Sequence, residues 1–377
     1  MQKYKILIIG AFPPPESKIF GGIVTSCQSL LDSSFSRQFD LILVDSTQIS
    51  NPPPGVTLRS LLALRRLVIY LYRLIDGKPQ AVVLFASLGA SVAEKGIMAW
   101  ISKAFCIPVF LFPRGGKLIT IVTESKFHRF WISASMRGAT HFLCQGPVWQ
   151  RFATDVLRFP IERTSIIPNW TASNSLLAIG ERRIEKNVGT VPQLLFLGWL
   201  ERDKGIFELL EACDALSSLY SFRLVIAGRG HAEPEARAFV ERNCLNGVVE
   251  FVGWVRGTEL EALFLASDIL VLPSWAEGLP NAMIEAMAAK LAVVVSAVGN
   301  VPDVITDGEQ ALLIPPREVA PLRDAVEKLL IDKCFCRAIA ERGHQFARHN
   351  FAVEPAVAEL CKVIDDAINE NIRSTAH

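Results

Sequence analysis

Short runs of aliphatic and β-branched residues recur along the chain, and each is followed by a stretch long enough for a helix. In the first half the runs are Lys5–Gly10, Leu41–Asp45, Ala81–Ala86, Val109–Phe112, His141–Cys144 and Ser165–Pro168. In the second half they are Gln193–Gly198, Arg223–Gly228, Val249–Gly253, Asp268–Pro273, Leu291–Ser296 and Ala311–Pro315. Each run ends near Gly, Pro, Ser or Asn. Strands of a parallel sheet, buried on both faces, have this composition. Their alternation with helical stretches predicts doubly wound α/β sheets.

The same six-run rhythm occurs twice without a repeat of sequence. Trp170–Pro192 is polar and irregular, so it reads as a linker, with one domain over 1–184 and a second over 185–377. A chain of 377 residues accommodates two such domains. The C-terminal ends of both sheets are expected to open into a cleft between them.

Composition removes several alternatives. Half the residues are hydrophobic and the formal net charge is +1, so the chain has ample core material. The charge is nevertheless polarised, because Lys and Arg dominate before residue 190 and Asp and Glu after it. A basic N-terminal half attracts anionic lipid, phosphorylated substrates or nucleic acid, or is simply solvated. No basic motif interleaved with aromatics points to nucleic acid. The eight cysteines have neither zinc-site nor disulfide-framework spacing, which predicts reduced thiols. Lys3 and Lys5 precede a short apolar run that ends at prolines, better read as a first strand than as a leader. No run reaches the ~18 apolar residues of a spanning helix; Leu61–Leu74 is interrupted by Arg65, Arg66 and Arg73.

The most informative segment follows the run Asp268–Pro273 and carries Glu277, Gly278, Leu279, Pro280, Asn281 and Glu285. Gly278 permits a sharp turn, and Pro280 suits the first turn of a helix, where its missing N–H costs nothing. The amides of Leu279, Asn281 and Ala282 would then begin a helix, and a helix N-terminus favours phosphate. Glu277 before the helix and Glu285 within it would repel phosphates. They are better suited to accept hydrogen bonds from hydroxyls, as of a sugar and a ribose flanking a diphosphate.

This segment resembles the Glu-x7-Glu signature of the retaining glycosyltransferases of family 4. The likeness covers most of 193–315 and, more loosely, 5–30 and 165–170. It implies the GT-B fold: two Rossmann-like domains facing a cleft, with the last helix, about 350–370, packing back on the N-terminal domain. It further implies that Glu277 lies at the donor sugar and Glu285 at the ribose. The stretch Phe196–Gly205 is similar to the family's diphosphate loop, so Lys204 takes the role of its lysine. Trp199 stands where the family has arginine, and Arg202 is placed to supply that charge. Gly21 and Gly22 match the glycine pair that brings backbone amides to the diphosphate, and Val255, after Trp254, falls where the nucleobase sits. Trp254 suits either that seat or the core. Arg114 stands where many members carry histidine, so it contacts acceptor or phosphate, or is structural. Trp170 replaces a glycine after Pro168 and Asn169. Gly228-Arg-Gly230 lacks the third glycine of a dinucleotide fingerprint.

The resemblance implies transfer of a sugar from a nucleotide diphosphate donor, UDP or GDP, with retention of configuration and without a cofactor or metal. The acceptor is expected to be a glycan or lipid-linked hydroxyl. Arg59–Arg73 is both apolar and basic, so it either lies on an anionic membrane surface or packs on the core. With the charge asymmetry, a cytoplasmic enzyme peripheral to the membrane is the preferred expectation. The rival readings are a sugar-nucleotide epimerase of the same fold and a non-catalytic sugar-nucleotide or polysaccharide-binding subunit.

Overall fold

A computed structural model of the chain describes residues 3–14, 21–47, 54–87, 89–115, 117–183 and 191–375. Its contacts divide the chain into two compact units, residues 1–170 with 353–377, and residues 171–352. Each of the expected apolar runs forms a strand whose ends differ by at most two residues from the expectation.

In the first unit the strands are β1 (Lys5–Gly10), β2 (Asp40–Asp45), β3 (Ala81–Ala86), β4 (Val109–Pro113), β5 (His141–Cys144) and β6 (Thr164–Ile166). They form one parallel sheet in the order β2-β1-β3-β4-β5-β6. The direction of winding reverses between β1 and β3. Side chains alternate across the pleat, and both faces are apolar. Leu7, Ile9, Leu84 and Leu111 share a core with helices α3 (Val56–Gly77), α4 (Ala90–Ala104), α5 (Lys117–Glu124) and α6 (Lys126–Met136). The helices α1 (Gly22–Asp32) and α2 (Phe35–Gln38) cover the opposite face, which carries Ile6, Ile8, Val83 and Phe110. The short helix α7 (Pro147–Arg151) adds Trp149 to the first of these cores.

The C-terminal helix, Val353–Thr375, belongs to this first unit although the chain between is elsewhere. Val357, Leu360, Ile364 and Ile368 recur at helical spacing and are buried against Ile6 and Ile8. Polar groups fix its register: Gln38 Nε2 donates to Asp365 at 2.7 Å, and Asn371 Nδ2 donates to the Cys106 carbonyl at 2.9 Å.

The second unit opens with helix α8 (Asn174–Arg182) inside the segment expected to be a linker. Ser173 caps it by accepting from the Leu176 amide, and Gly180 lies so close to Ala288 O that a Cβ would approach to 2.5 Å. The units therefore divide at 170/171, and the expected boundary at 184/185, like Gly116 of the Arg114 loop, lies outside the described residues. The strands are β7 (Gln193–Leu197), β8 (Arg223–Ala227), β9 (Val249–Gly253), β10 (Ile269–Leu272), β11 (Ala292–Ser296) and β12 (Leu312–Ile314). Their parallel order is β12-β11-β10-β7-β8-β9, with the reversal between β10 and β7. The helices α9 (Ile206–Ser217), α10 (Glu233–Arg242) and α14 (Val319–Ile331) pack on one face. On the other are α8, α11 (Thr258–Ala266), α12 (Asn281–Ala288) and α13 (Val301–Val304), while α15 (Lys333–Asn350) contributes to both cores.

Candidate active site

In an open α/β sheet, ligands bind beyond the carboxyl ends of the strands at the point where winding reverses. In the second unit that point is the pair β7 and β10, and it carries the two motifs singled out in the sequence. The turn Arg202–Lys204 follows β7 and ends at Gly205, whose φ is +71°. Gly205 is pressed on the end of β10: a Cβ there would lie 2.1 Å from Pro273 O. The Trp275 amide donates to Asp203 O at 2.8 Å, closing the two loops on each other. This brings Lys204 Nζ to 2.6 Å from Glu277 Oε1. Both side chains are about three-quarters buried.

A third loop holds Glu277 from behind. Gly299, with φ +59°, sits where a Cβ would meet Glu277 O at 2.0 Å, and the Asn300 amide donates to Gly278 O at 2.8 Å. Asn300 itself is buried, and its Nδ2 has no partner among the described residues. Sequence reading passed over Gly299 and Asn300. Their signal was a Gly-Asn pair shortly after the apolar run Leu291–Ser296. Trp275 is also tethered, donating from Nε1 to Glu208 at 2.8 Å while the Arg317 guanidinium lies 4.5 Å from its ring centre.

Helix α12 begins at Asn281 rather than at Pro280. Pro280 has ψ 122°, so it caps the helix from an extended conformation. Glu285 lies within α12 and is buried, and burial pushes its carboxyl from 4.5 up to about 7. Desolvation is the cause of that shift. An anion placed there needs hydroxyl or amide donors from elsewhere.

Arg202 does not stand free beside Lys204. Its guanidinium donates to both carboxylate oxygens of Glu235, at 2.5 and 2.6 Å, on the exposed surface, and lies 4.7 Å from the Phe207 ring centre. Trp199 packs edge-on against Trp254, with ring centres 4.8 Å apart. Gly228 and Gly230 pack on the backbone on either side of Trp199. A Cβ at Gly228 would approach Gly198 O to 1.8 Å, and one at Gly230 would approach Leu200 O to 2.1 Å. The glycine pair therefore serves backbone packing between strand ends. Val255, next to Trp254, is half-buried against the core that includes α12.

The remaining candidates lie in the first unit. Gly21 precedes α1 and Gly22 begins it, after β1. Arg114 follows β4 and donates through Nη2 to Ser26 Oγ at 2.5 Å, one turn into α1. Its guanidinium stacks on Phe112 and Trp170, 4.9 and 5.3 Å from their ring centres. Trp170 is fully buried and donates to Ser26 O at 2.9 Å. Trp170 stands where the family has glycine, and here it is a core side chain packed against Arg114. Arg114 Nη1 is buried without a partner among the described residues, and burial pushes the guanidinium down to about 10. Among the described residues, no group of three His, Cys, Asp or Glu is arranged to hold a metal ion.

Comparison with known proteins gives this geometry a context. The family model of glycosyl transferases group 1 matches residues 180–346. An uncharacterized glycosyltransferase of Methanocaldococcus jannaschii is 34% identical over 174 residues, covering 45% of this chain and 44% of that protein. A putative teichuronic acid biosynthesis glycosyltransferase of Bacillus subtilis is 33% identical over 157 residues, covering 42% and 38%. The similarity thus spans less than half the length of these relatives. Among solved structures, sucrose-phosphate synthase from Thermosynechococcus elongatus superimposes with a TM-score of 0.79 at 18% identity, covering 98% of this chain and 100% of that one. Anabaena HepE in complex with UDP and glucose gives 0.71 at 16% identity, covering 96% and 100%. The fold is that of the GT-B glycosyltransferases, and the stretch similar to group 1 of those enzymes is the one that carries Lys204, Glu277 and Glu285.

Proposed function

We propose that this protein is a retaining, metal-independent glycosyltransferase of family 4 that moves a sugar from a nucleotide diphosphate donor to a glycan or lipid-linked hydroxyl. The observation that carries this reading is the contact of Lys204 with Glu277 at the β7/β10 reversal, inside the matched segment. Breaking a glycosidic bond to a diphosphate builds negative charge on the leaving group. Lys204 and the first-turn amides of α12 would stabilise it, which is the largest kind of catalytic contribution. Glu277 would accept hydrogen bonds from the sugar hydroxyls, holding the ring while Lys204 turns to phosphate. Glu285 would accept from the ribose diol, and two such donors would return its buried carboxyl to the ionised form. The acceptor hydroxyl would attack from the face the diphosphate leaves and pass its proton to the departing diphosphate, which gives retention without a covalent intermediate.

UDP is the preferred nucleotide and GDP the second; the complex of HepE with UDP and glucose supports the first choice. The teichuronic acid relative supports a surface polysaccharide as the product. In the first unit Gly21 and Gly22 are assigned to the donor diphosphate, and Arg114 to acceptor or phosphate.

Thermal stabilisation by UDP-, GDP- and ADP-sugars identifies the donor. Transfer to a glycan acceptor, followed by NMR of the anomeric proton, then tests retention, and EDTA tests metal independence. Donor turnover that needs no acceptor would replace this reading with the epimerase, and near-normal transfer by Glu277→Ala would remove the assignment of the site.

A further inference from the structure

The segment Arg59–Arg73 admitted two readings from sequence, a membrane-surface helix or a core helix. In the structure α3 is a core helix along one edge only. Tyr70 and Leu74 are buried, and Tyr70 Oη donates to the Met98 carbonyl of α4 at 3.0 Å. On the opposite edge Leu61, Leu64, Val68, Tyr72 and Ile75 follow helical spacing and are each 58–64% exposed. A single exposed leucine needs no explanation, but an apolar stripe of this length does.

Exposed apolar side chains are not confined to α3. Helix α4 packs beside it, joined by the Arg66–Glu94 ion pair at 2.7 Å, and exposes Ile97 and Trp100. Helix α6 packs on the far side of α4: Trp100 Nε1 donates to the Ala134 carbonyl at 3.0 Å, and Gly96 and Gly138 allow backbone contact. It exposes Phe127, Phe130 and Trp131, each 58–71% open. All three helices cover the same face of the first sheet.

The exposed charges of these helices are predominantly basic. Arg59, Arg65 and Arg73 on α3, Lys103 on α4, Lys126 and Arg129 on α6, and Arg137 just after it are exposed; the exposed acids on or next to these helices are Asp76 and Glu124. Lys103 Nζ lies 4.9 Å from the Trp100 ring centre, so cation and aromatic are neighbours. Aliphatic and aromatic side chains interleaved with cations suit the boundary between acyl chains and anionic headgroups. A second copy of the chain suits it poorly, because a two-fold contact would oppose this basic surface to itself. No helix among the described residues is long and apolar enough to cross a membrane.

We propose that the outer surface of α3, α4 and α6 docks this protein on an anionic lipid bilayer. The inference does not rest on the transferase reading, and its readout is binding alone.

The test is co-sedimentation of the full chain with phosphatidylcholine vesicles, with and without phosphatidylglycerol. Binding is expected only with the anionic lipid and to weaken with salt. The triple substitution Arg59→Glu, Arg65→Glu, Arg73→Glu should lower partitioning by about tenfold or more, since each cation near such a surface contributes about fivefold. Phe127→Ser, Phe130→Ser, Trp131→Ser should lower it comparably. Brominated lipid should quench part of the tryptophan fluorescence of the unmodified protein, reporting Trp100 and Trp131 without any substitution. Equal binding to both vesicle types, or absence of quenching, overturns the proposal. So does a concentration-dependent dimer that the same substitutions abolish while vesicles are ignored.

Discussion

Lys204 Nζ lies 2.6 Å from Glu277 Oε1, although 73 residues separate them in sequence. The contact is made by three strand-end loops, after β7, β10 and β11, that lie backbone on backbone. Without ligand, each charge is the other's partner. A diphosphate and a sugar would take both over.

Removing either member should therefore cost activity far more than stability. Lys204→Met and Glu277→Gln are each expected to lower kcat/KM by about 10²–10³. A partly exposed ion pair contributes only about 0–1 kcal/mol to folding, so thermal melts should barely move. A large fall in Tm with proportionate loss of activity would make the pair structural.

Glu285 should make stability depend on pH. Burial raises its folded-state value from 4.5 to about 7, so between these limits the folded chain holds a proton that the unfolded chain has released. Stability from this group is complete below pH 4.5 and is lost as pH rises through 7, by about 3 kcal/mol in all. Glu285→Gln should flatten that slope and stabilise the free protein at pH 8, while weakening donor binding. Melts of both proteins between pH 5 and 9, with and without nucleotide sugar, separate the two effects.

Gly299→Ala should disable the site without touching a ligand. The new Cβ would meet Glu277 O at 2.0 Å from a backbone with φ +59°, so loop and glutamate must shift. Strain of this kind costs about 1–3 kcal/mol. Activity should fall by at least the factor seen for Glu277→Gln; full activity would mean that the β11 loop does not position Glu277.

Arg114→Met tests the first unit. The guanidinium is stacked and bonded to Ser26, yet Nη1 is buried without a partner among the described residues. Methionine keeps most of the volume and removes that desolvated group, so stability should change by less than about 1 kcal/mol. If Arg114 binds an anion, KM for donor or acceptor should rise with kcat less affected. A large loss of stability with unchanged KM would make it a core residue only.

The strands were legible because a parallel sheet buried on both faces leaves apolar runs, and several strands stop one or two residues before the Gly or Pro at which the run was expected to end. The fold followed from their alternation with helices. Other features depended on contacts that no local pattern records. Helix α8 was hidden in a polar stretch because its burial comes from Ala288 and His344, far along the chain. Trp170 read as a substituted hinge glycine, but only packing on Phe85 and Phe112 reveals it as core. Arg202 looked free to serve a phosphate because Glu235, its partner, lies on a helix after the next strand. For Glu277 and Glu285, spacing and the proline-capped helix were visible in sequence; the clamp at Gly299 and the burial of Glu285 were not.

The C-terminal helix has a consequence for how the chain is made. Residues 1–170 leave the ribosome with the face of Ile6, Ile8 and Phe110 covered only in part, by α1 and α2, because Val357, Leu360 and Ile364 are not yet synthesised. The second unit, 171–352, is continuous and can complete its core first. The half of the protein translated earlier is thus finished later, and a nascent chain stalled before residue 353 would present the uncovered part of that apolar face to chaperones.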